Sequence, residues 1–320
     1  MKGPACDKIV VVTRKTPLEE LVERFGTVEQ ARFYVESMGL PFDDYLMADD
    51  TYRMAVARLR EALPRKVRAQ WIDRSFLPTF LFGRGDLVVT LGQDGLVVNT
   101  AKYLTHQPVF AINPDPGRFD GILLPFRLET AESEIMNAVM GQCVVSQVTM
   151  ARAVLNDGQE LLAVNDLFIG HKSHGSARYQ LEFGDRAEEQ SSSGIIVSTG
   201  AGSTGWYSSI VRGANGIVRL YLKQTQPDIA DSLDEPARMD WESRELFFTV
   251  REPFVSRTSQ AAIVHDRILP GQRFRITSRM PQSGVIFSDG VENDFLAFNS
   301  GAVAEIGLAP RCLHLCVSRS

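Results

Sequence analysis

Cysteine is scarce in this chain of 320 residues, with four in all, at Cys6, Cys143, Cys312 and Cys316. They are too sparse and too scattered for a disulfide scaffold or a zinc knuckle. Cys312 and Cys316 have a spacing that brings two thiols to one face, but no second pair accompanies them. All four read as reduced thiols of a cytoplasmic protein, in or near a core. Long apolar runs are also missing: none approaches the roughly 20 residues that a membrane span needs. Met1 to Lys8 leads straight into the strand-like run Ile9 to Thr13, with no signal-peptide hydrophobic region between. The expectation is a cytoplasmic chain with no membrane partner. Basic tracts are absent too, and 34 Lys and Arg against 39 Asp and Glu leave a net charge of −5. That argues against a nucleic-acid-binding face and for a soluble enzyme or binding protein. No internal repeat is present, and low complexity is confined to Ser191 to Ser193.

What the chain does have is concentrated between Asp86 and Leu104. The β-branched apolar run Leu87 to Leu91 reads as a buried parallel strand. It stops at Gly92-Gln-Asp-Gly95, and a helix pattern follows, with Val97, Ala101 and Leu104 on one face. Strand, glycine turn and helix is a geometry in which unpaired N–H groups at a helix start can face a phosphate. A carboxylate in such a loop repels the charge of its ligand, so Asp94 needs a reason to be there. It is either a general base or a ligand for the cation that accompanies the phosphate, or it simply caps the helix.

The texture of the chain divides in two. Up to about residue 127, strand signals (Ile9–Thr13, Val67–Ile72, Leu87–Leu91, Val109–Asn113) alternate with helical ones (Pro17–Arg24, Val28–Met38, Asp49–Leu63). This alternation predicts a parallel sheet covered by helices, with ligands at the carboxyl ends of its strands. A helix at Thr130–Gly141 is followed by β-rich sequence: Val144–Leu155, Glu160–Ile169, Ala177–Phe183, Gly194–Ser198, Leu246–Arg251, Arg273–Ser278 and Gly284–Phe287. Turns such as Asn156-Asp-Gly158 and Leu269-Pro-Gly271 separate several of these. The expected division is 1–127 for an α/β domain, 128–298 for a β-rich domain, and 299–320 for a segment, with strands near Ala302–Ile306 and Leu313–Val317, that returns to the first.

A second candidate site lies in the β-rich part. Gly194 to Tyr207 again runs strand, small-residue loop, helix, with Gly200, Gly202 and Gly205 allowing close backbone approach and Ser198, Thr199, Ser203 and Thr204 supplying hydroxyls. Upstream, Asn165 and Asp166 sit inside the apolar run Ala163 to Ile169, and a buried polar pair needs partners. Ribose hydroxyls of a ligand would serve, and so would local backbone groups. His171 and His174 have no carboxylate or cysteine set near them and read as a solvated loop rather than a metal site. Asp289, in Ser288-Asp-Gly290, reads as a further acid of the site or as a plain turn. The acidic stretch Asp228–Glu242 reads as an exposed loop or a short helix.

In order and spacing these motifs resemble the NAD kinase family, whose patterns are Gly-Gly-Asp-Gly-Thr, Asn-Glu and Thr-Pro-Thr-Gly-Ser-Thr-Ala-Tyr. Here they stand as Gly92-Gln-Asp-Gly-Leu96, Asn165-Asp166 and Thr199-Gly-Ala-Gly-Ser-Thr-Gly-Trp206. The mitochondrial type is closest in pattern, through Asn113-Pro-Asp-Pro-Gly-Arg118, Ser192-Ser-Gly194, Arg251-Glu-Pro253, and Asp289-Gly290 followed by Phe298-Asn-Ser-Gly-Ala302. The resemblance runs from Lys8 to about Val317. It implies an N-terminal Rossmann-like α/β domain, a C-terminal β-sandwich-like domain of the NAD kinase/diacylglycerol kinase-like kind, and a homodimer. It also implies transfer of the γ-phosphoryl of ATP, with Mg²⁺, to the 2′-hydroxyl of the adenosine ribose of NAD. On that reading Asp94 is the catalytic base, and Gly92, Gln93 and Gly95 hold the donor phosphates. Asn165, Asp166, Ser203, Thr204, Gly205 and Trp206 then bind NAD, Trp206 standing where the family has Tyr. Four positions depart from the pattern: Gln93 for Gly, Leu96 for Thr, Asp166 for Glu, and Ser193 for the acid that usually precedes the Gly/Ser/Thr strand. A side chain at 93 is expected to restrict a loop that glycine would let turn left-handed. A kinase acting on a sugar, lipid or nucleoside hydroxyl, or a catalytically silent nucleotide-binding protein, are the alternatives these departures leave.

Overall fold

The computed structural model describes residues 6–226 and 238–318, so most of the Asp228–Glu242 stretch lies outside the described residues; its described end, 238–242, is neither helix nor strand. In chain order the elements are β1 (Lys8–Thr13), α1 (Pro17–Phe25), α2 (Val28–Ser37), α3 (Asp43–Ala62), β2 (Arg68–Asp73), β3 (Asp86–Leu91), α4 (Asp94–Ala101), β4 (Pro108–Asn113), β5 (Phe126–Arg127) and α5 (Ala131–Val139). There follow β6 (Val144–Leu155), β7 (Glu160–Ala163), β8 (Asp166–His171), β9 (Ala177–Phe183), β10 (Arg186–Ser192), β11 (Ile195–Ser198), α6 (Trp206–Thr225), β12 (Leu246–Val250), β13 (His265–Ile268), β14 (Phe274–Ser278), β15 (Gly284–Ser288), β16 (Val291–Ala297) and β17 (Val303–Val317). Two compact units result: Met1–Ser146 with Leu313–Ser320, and Gln147–Cys312.

The first unit is a parallel sheet in the order β2-β1-β3-β4, which the end of β17 joins by pairing His314 and Leu315 with Pro108 and Val109 of β4. Every residue of β3 is buried, which explains its unbroken apolar run. The sheet's core gathers Ile9, Val11, Leu87, Val89, Phe110 and Ile112 with Ala55 and Leu59 of α3 and Ala131, Ile135 and Ala138 of α5. Because α5 packs into this core, the first unit ends at residue 146 and not at 127. The return likewise begins at 313 and not at 299, since Val303 to Ile306 of β17 pair with β14 in the second unit.

The second unit is a sandwich of antiparallel strands. One sheet contains β10-β9-β14 and the first part of β17, with β6 and β7; the other runs β13-β12-β11-β8-β15-β16. Side chains of both fill one core, among them Ile169, Tyr179, Ile195, Val197, Phe248, Phe274, Ile276 and Ile286. Phe183, Phe248 and Phe274 form its aromatic centre, with centroids 4.6–5.9 Å apart. The fold class is therefore the expected one, an α/β domain plus a β-sandwich. Among the described residues, no helix is long and apolar enough to cross a membrane.

Candidate functional site

In the first unit the chain leaves β3 through Gly92 and enters α4 at Asp94. The cap residue is Gln93, in extended backbone at φ −85°, and no side chain caps this helix. Asp94 is thus already in the first helical turn and does not act as the cap. One of its carboxylate oxygens accepts the N–H of Leu123 at 2.6 Å. That donor is placed by Asn113 at the end of β4, whose amide donates to the Phe119 carbonyl at 2.9 Å and whose oxygen accepts the Asp115 N–H at 3.0 Å. Gly121, at φ +64°, completes the loop, and a Cβ there would meet the Asn113 amide at 2.7 Å. Asn113-Pro-Asp-Pro-Gly-Arg118 therefore acts as the frame that orients Asp94. A Cβ on Gly92 would lie 2.8 Å from the tip of the buried Leu96 side chain, so the glycine leaves room for the leucine at 96. Gly95 is exposed, with open space where a Cβ would be.

Next to this turn lies a cavity of about 350 Å³, whose lining includes Arg14, Thr16, Tyr52, Gly92, Gln93 and Arg118. Tyr52 joins the ends of two strands across it: its hydroxyl donates to the Leu91 carbonyl at 2.9 Å and accepts the Arg14 N–H at 3.1 Å. Burial pushes that phenol up to about 12, so it stays a neutral donor. The guanidinium of Arg14 donates to the Gln93 side-chain oxygen at 2.9 Å. The expectation that Gln93 strains the turn is overturned. The backbone there is not left-handed, and the side chain instead holds an arginine beside the turn. Two guanidinium groups, Arg14 and Arg118, on one small cavity suit an anion such as a phosphate chain.

The second unit breaks the expected run at this pair: β7 ends at Ala163, Asn165 lies in the gap, and β8 starts at Asp166. The cause is Asp289. Its carboxylate accepts the backbone N–H groups of Val164 (3.2 Å), Asn165 (2.7 Å) and Asp166 (3.3 Å), which an unbroken ladder would have used. Asp289 and Gly290 turn at φ +55° and +71° to make this reach. The second loop is zipped to the same break. The Thr199 hydroxyl donates to the Val164 carbonyl, the Thr199 N–H donates to the Asn165 carbonyl at 2.9 Å, and a Cβ on Gly202 would fall 2.1 Å from that carbonyl oxygen.

With the backbone so fixed, no hydrogen bond of the Asn165 or Asp166 side chain is found among the described residues, and Asp166 is buried. Burial, with the Asp289 carboxylate second, raises the Asp166 acid to about 7. Ser203 differs: its buried hydroxyl donates to the Gly200 carbonyl at 2.7 Å and accepts the Met239 N–H at 3.1 Å. It shapes the loop. Thr204 and Gly205 are exposed. Trp206 stacks on Phe168 (5.7 Å between centroids, planes 6° apart), and the Arg251 guanidinium lies 5.1 Å from its ring.

The structure thus gathers the sequence-derived residues into two groups, one in each unit. It adds Arg14, Tyr52 and Leu123 to the first, beside Arg118 of the Asn113-to-Arg118 motif. In the second it gives Asp289, Thr199 and Gly202, already singled out in the sequence, the role of holding the strand break. Arg14 and Tyr52 carry no motif of their own, and only the fold brings them to the glycine turn. Of the two histidines, His171 ends β8 and accepts from Ser173 at Nδ1 (3.1 Å). Among the described residues, no group of three His, Cys, Asp or Glu side chains gathers into a metal site.

A parallel α/β unit with an acid at its glycine turn, joined to an antiparallel sandwich with a polar strand break, is the two-domain architecture of the NAD kinase fold. Similarity searches agree. The chain superposes on yeast NADH kinase complexed with NADH with a TM-score of 0.60, at 14% identity over 98% of this chain and 84% of that one. An NAD kinase from Archaeoglobus fulgidus in complex with ATP gives 0.57 and 15%, over 96% and 93%. In sequence, NAD kinases of Nitrosomonas eutropha and Nitrosomonas europaea are 28% and 29% identical over 130 residues, which is 38% of this chain and 43% of each relative. The chain therefore spans less than half the length of those curated relatives. No protein-family profile matches the chain. The chain thus has the fold of the NAD kinases and is similar in part of its sequence to two of them.

Proposed function

We propose that this protein is an NAD kinase that transfers the γ-phosphoryl of ATP to the 2′-hydroxyl of the adenosine ribose of NAD. The observation that carries the reading is Asp94. It is a carboxylate in the first turn of a helix at the carboxyl end of a parallel strand, anchored through one oxygen by Leu123, with no hydrogen bond of the other oxygen among the described residues. A fixed acceptor of that kind suits removal of a proton from an alcohol as it attacks phosphorus. Phosphoryl transfer otherwise asks mainly for positioning and charge neutralisation, for which Arg14 and Arg118 line the adjacent cavity. Mg²⁺ enters as part of the ATP substrate. Asn165 and Asp166, whose side chains make no hydrogen bond among the described residues, suit the vicinal hydroxyls of a ribose.

Purified protein given ATP, Mg²⁺ and NAD or NADH is expected to form NADP or NADPH, read by an NADP-specific dehydrogenase. No product with any nucleoside triphosphate or polyphosphate overturns the reading. Transfer from ATP to another alcohol would keep the role of Asp94 and move the acceptor.

Gln93 gives a second test. Gln93→Gly removes the acceptor that holds Arg14, so KM for ATP is expected to rise by about tenfold at most, the worth of one hydrogen bond, with kcat little changed. A lower KM would mean that the glutamine obstructs the donor.

A further inference from the structure

Two of the four thiols form a pair that the proposed chemistry does not use. Cys143, just before β6, and Cys316, near the end of β17, are 173 residues apart, yet their sulfurs lie 3.1 Å from each other. Both belong to the first unit, Cys316 fully buried in its core and Cys143 half-buried at the core's edge. A disulfide needs the sulfurs to close by about 1 Å more, a motion within reach of side-chain rotation at a partly exposed residue.

The position of the pair along the chain gives a bond there a consequence. The chain passes into the second unit after Ser146 and comes back at Leu313. Cys143 and Cys316 therefore bracket both crossings, and the whole of Gln147–Cys312 lies between them in sequence. We propose that Cys143 and Cys316 are a site of reversible oxidative modification, joined by oxidants of the peroxide or disulfide class into a bond that closes the second unit into a covalent ring.

The reactivities are graded to suit. A hydrogen bond from the Cys316 thiol draws Cys143 down to about 7, which makes it a thiolate near neutral pH, while that same hydrogen bond and then its own burial hold Cys316 up. Burial raises both Cys6 and Cys312. With a peroxide, the Cys143 thiolate attacks one oxygen and expels hydroxide to give a sulfenic acid. The Cys316 sulfur then attacks that sulfur, giving up its proton as the second hydroxide leaves, so that two thiols lose two electrons and the peroxide becomes two waters. A dithiol reductant reverses the bond.

The experiment treats the reduced full-length chain with a slight excess of hydrogen peroxide, or separately of glutathione disulfide, and maps the peptides without reduction. Expected are a 143–316 cross-linked peptide, a mass loss of two hydrogens, faster migration on a non-reducing denaturing gel and a higher Tm, all reversed by dithiothreitol. Cys143→Ser is expected to abolish all four changes. Cys316→Ala is expected to abolish the cross-link and leave a sulfenic acid at 143 that dimedone traps, whereas Cys6→Ser and Cys312→Ser leave the bond intact. Should the buried Cys316→Ala fail to fold, Cys143→Ser and the peptide map still decide. Reaction of Cys143 to a sulfinic acid, to a lasting glutathione adduct or to an intermolecular disulfide, with no 143–316 peptide, overturns the proposal. These readouts are independent of whether NAD is the substrate.

Discussion

Replacing Asp94 by asparagine is expected to lower kcat by about 10²–10⁴-fold, the contribution of a positioned general base, while Tm barely moves. The structure makes the two halves of this expectation separable. The asparagine side-chain oxygen can still accept the Leu123 N–H that Asp94 accepts at 2.6 Å, so the loop that frames the turn keeps its tether. What asparagine cannot do is take a proton from an attacking alcohol. Asp94→Ala removes both functions. Leu123 is buried, so its N–H then loses its partner, and stability is expected to fall by about 1–3 kcal/mol on top of the lost turnover. Thermal melts and steady-state kinetics on both variants separate the roles. If Asp94→Asn keeps full kcat and only Asp94→Ala is impaired, the acid is a loop anchor and not a base. Helix capping is already excluded as its purpose, because Gln93 holds the cap position and no side chain caps α4.

How much of this could be read from the sequence depends on how local each cause is. The turn from β3 into α4 was legible because a fully buried strand and an adjoining glycine are properties of consecutive residues. Its partners were not: Leu123 lies 29 residues and Arg14 79 residues away along the chain. The reading of Gln93 went wrong for that reason. Glycine at the position in relatives suggested a left-handed turn, whereas the backbone is extended and the glutamine is explained by its distant arginine. The polar pair Asn165 and Asp166 was recognised, but the run around it looked continuous. Only the Asp289 carboxylate, over 120 residues on, explains the break by taking three N–H groups from the ladder. The strand β10 escaped notice because its inward positions are Glu188, Gln190 and Ser192. Each finds a partner outside its own strand, the Ala262 N–H, the Ile263 carbonyl and the Tyr179 hydroxyl, so polar residues stand inward and the apolar alternation that marks a strand is hidden. The edge strand β13 is likewise polar, and β16 is interrupted by the polar run Glu292 to Asp294; both escape the apolar alternation. The division of the chain was misplaced because α5, which reads as an amphipathic helix at a boundary, packs on the first core.

The same strand break sets a pH dependence that Asp166 should dominate. Its acid is raised from 3.8 to about 7, first by burial and then by the facing Asp289 carboxylate. A carboxyl group raised in the folded state favours folding while it is protonated. Its contribution is fully present below about pH 4, where the unfolded chain is protonated too, and is lost as pH rises through about 7. About three pH units at about 1.36 kcal/mol each make the loss about 4 kcal/mol between those limits. Asp166→Asn cannot ionise, so it is expected to match the wild type at pH 4 and to exceed it in stability by a few kcal/mol at pH 8, read from denaturant midpoints across the range. The variant's gain should come with a higher KM for NAD if the carboxylate holds a ribose hydroxyl, which would identify the strained acid as a group retained for binding. Asp289→Asn tests the second cause. Asparagine tolerates the φ of +55° and keeps one acceptor oxygen for the Asn165 and Asp166 N–H groups, though not for that of Val164. It carries no charge, so the pH at which stability falls should move down toward the ordinary carboxylate range. Parallel stability profiles for wild type and Asp166→Asn between pH 4 and pH 8 would show that Asp166 ionises like a surface carboxylate, and the idea of a neutral acid poised at the break would fail.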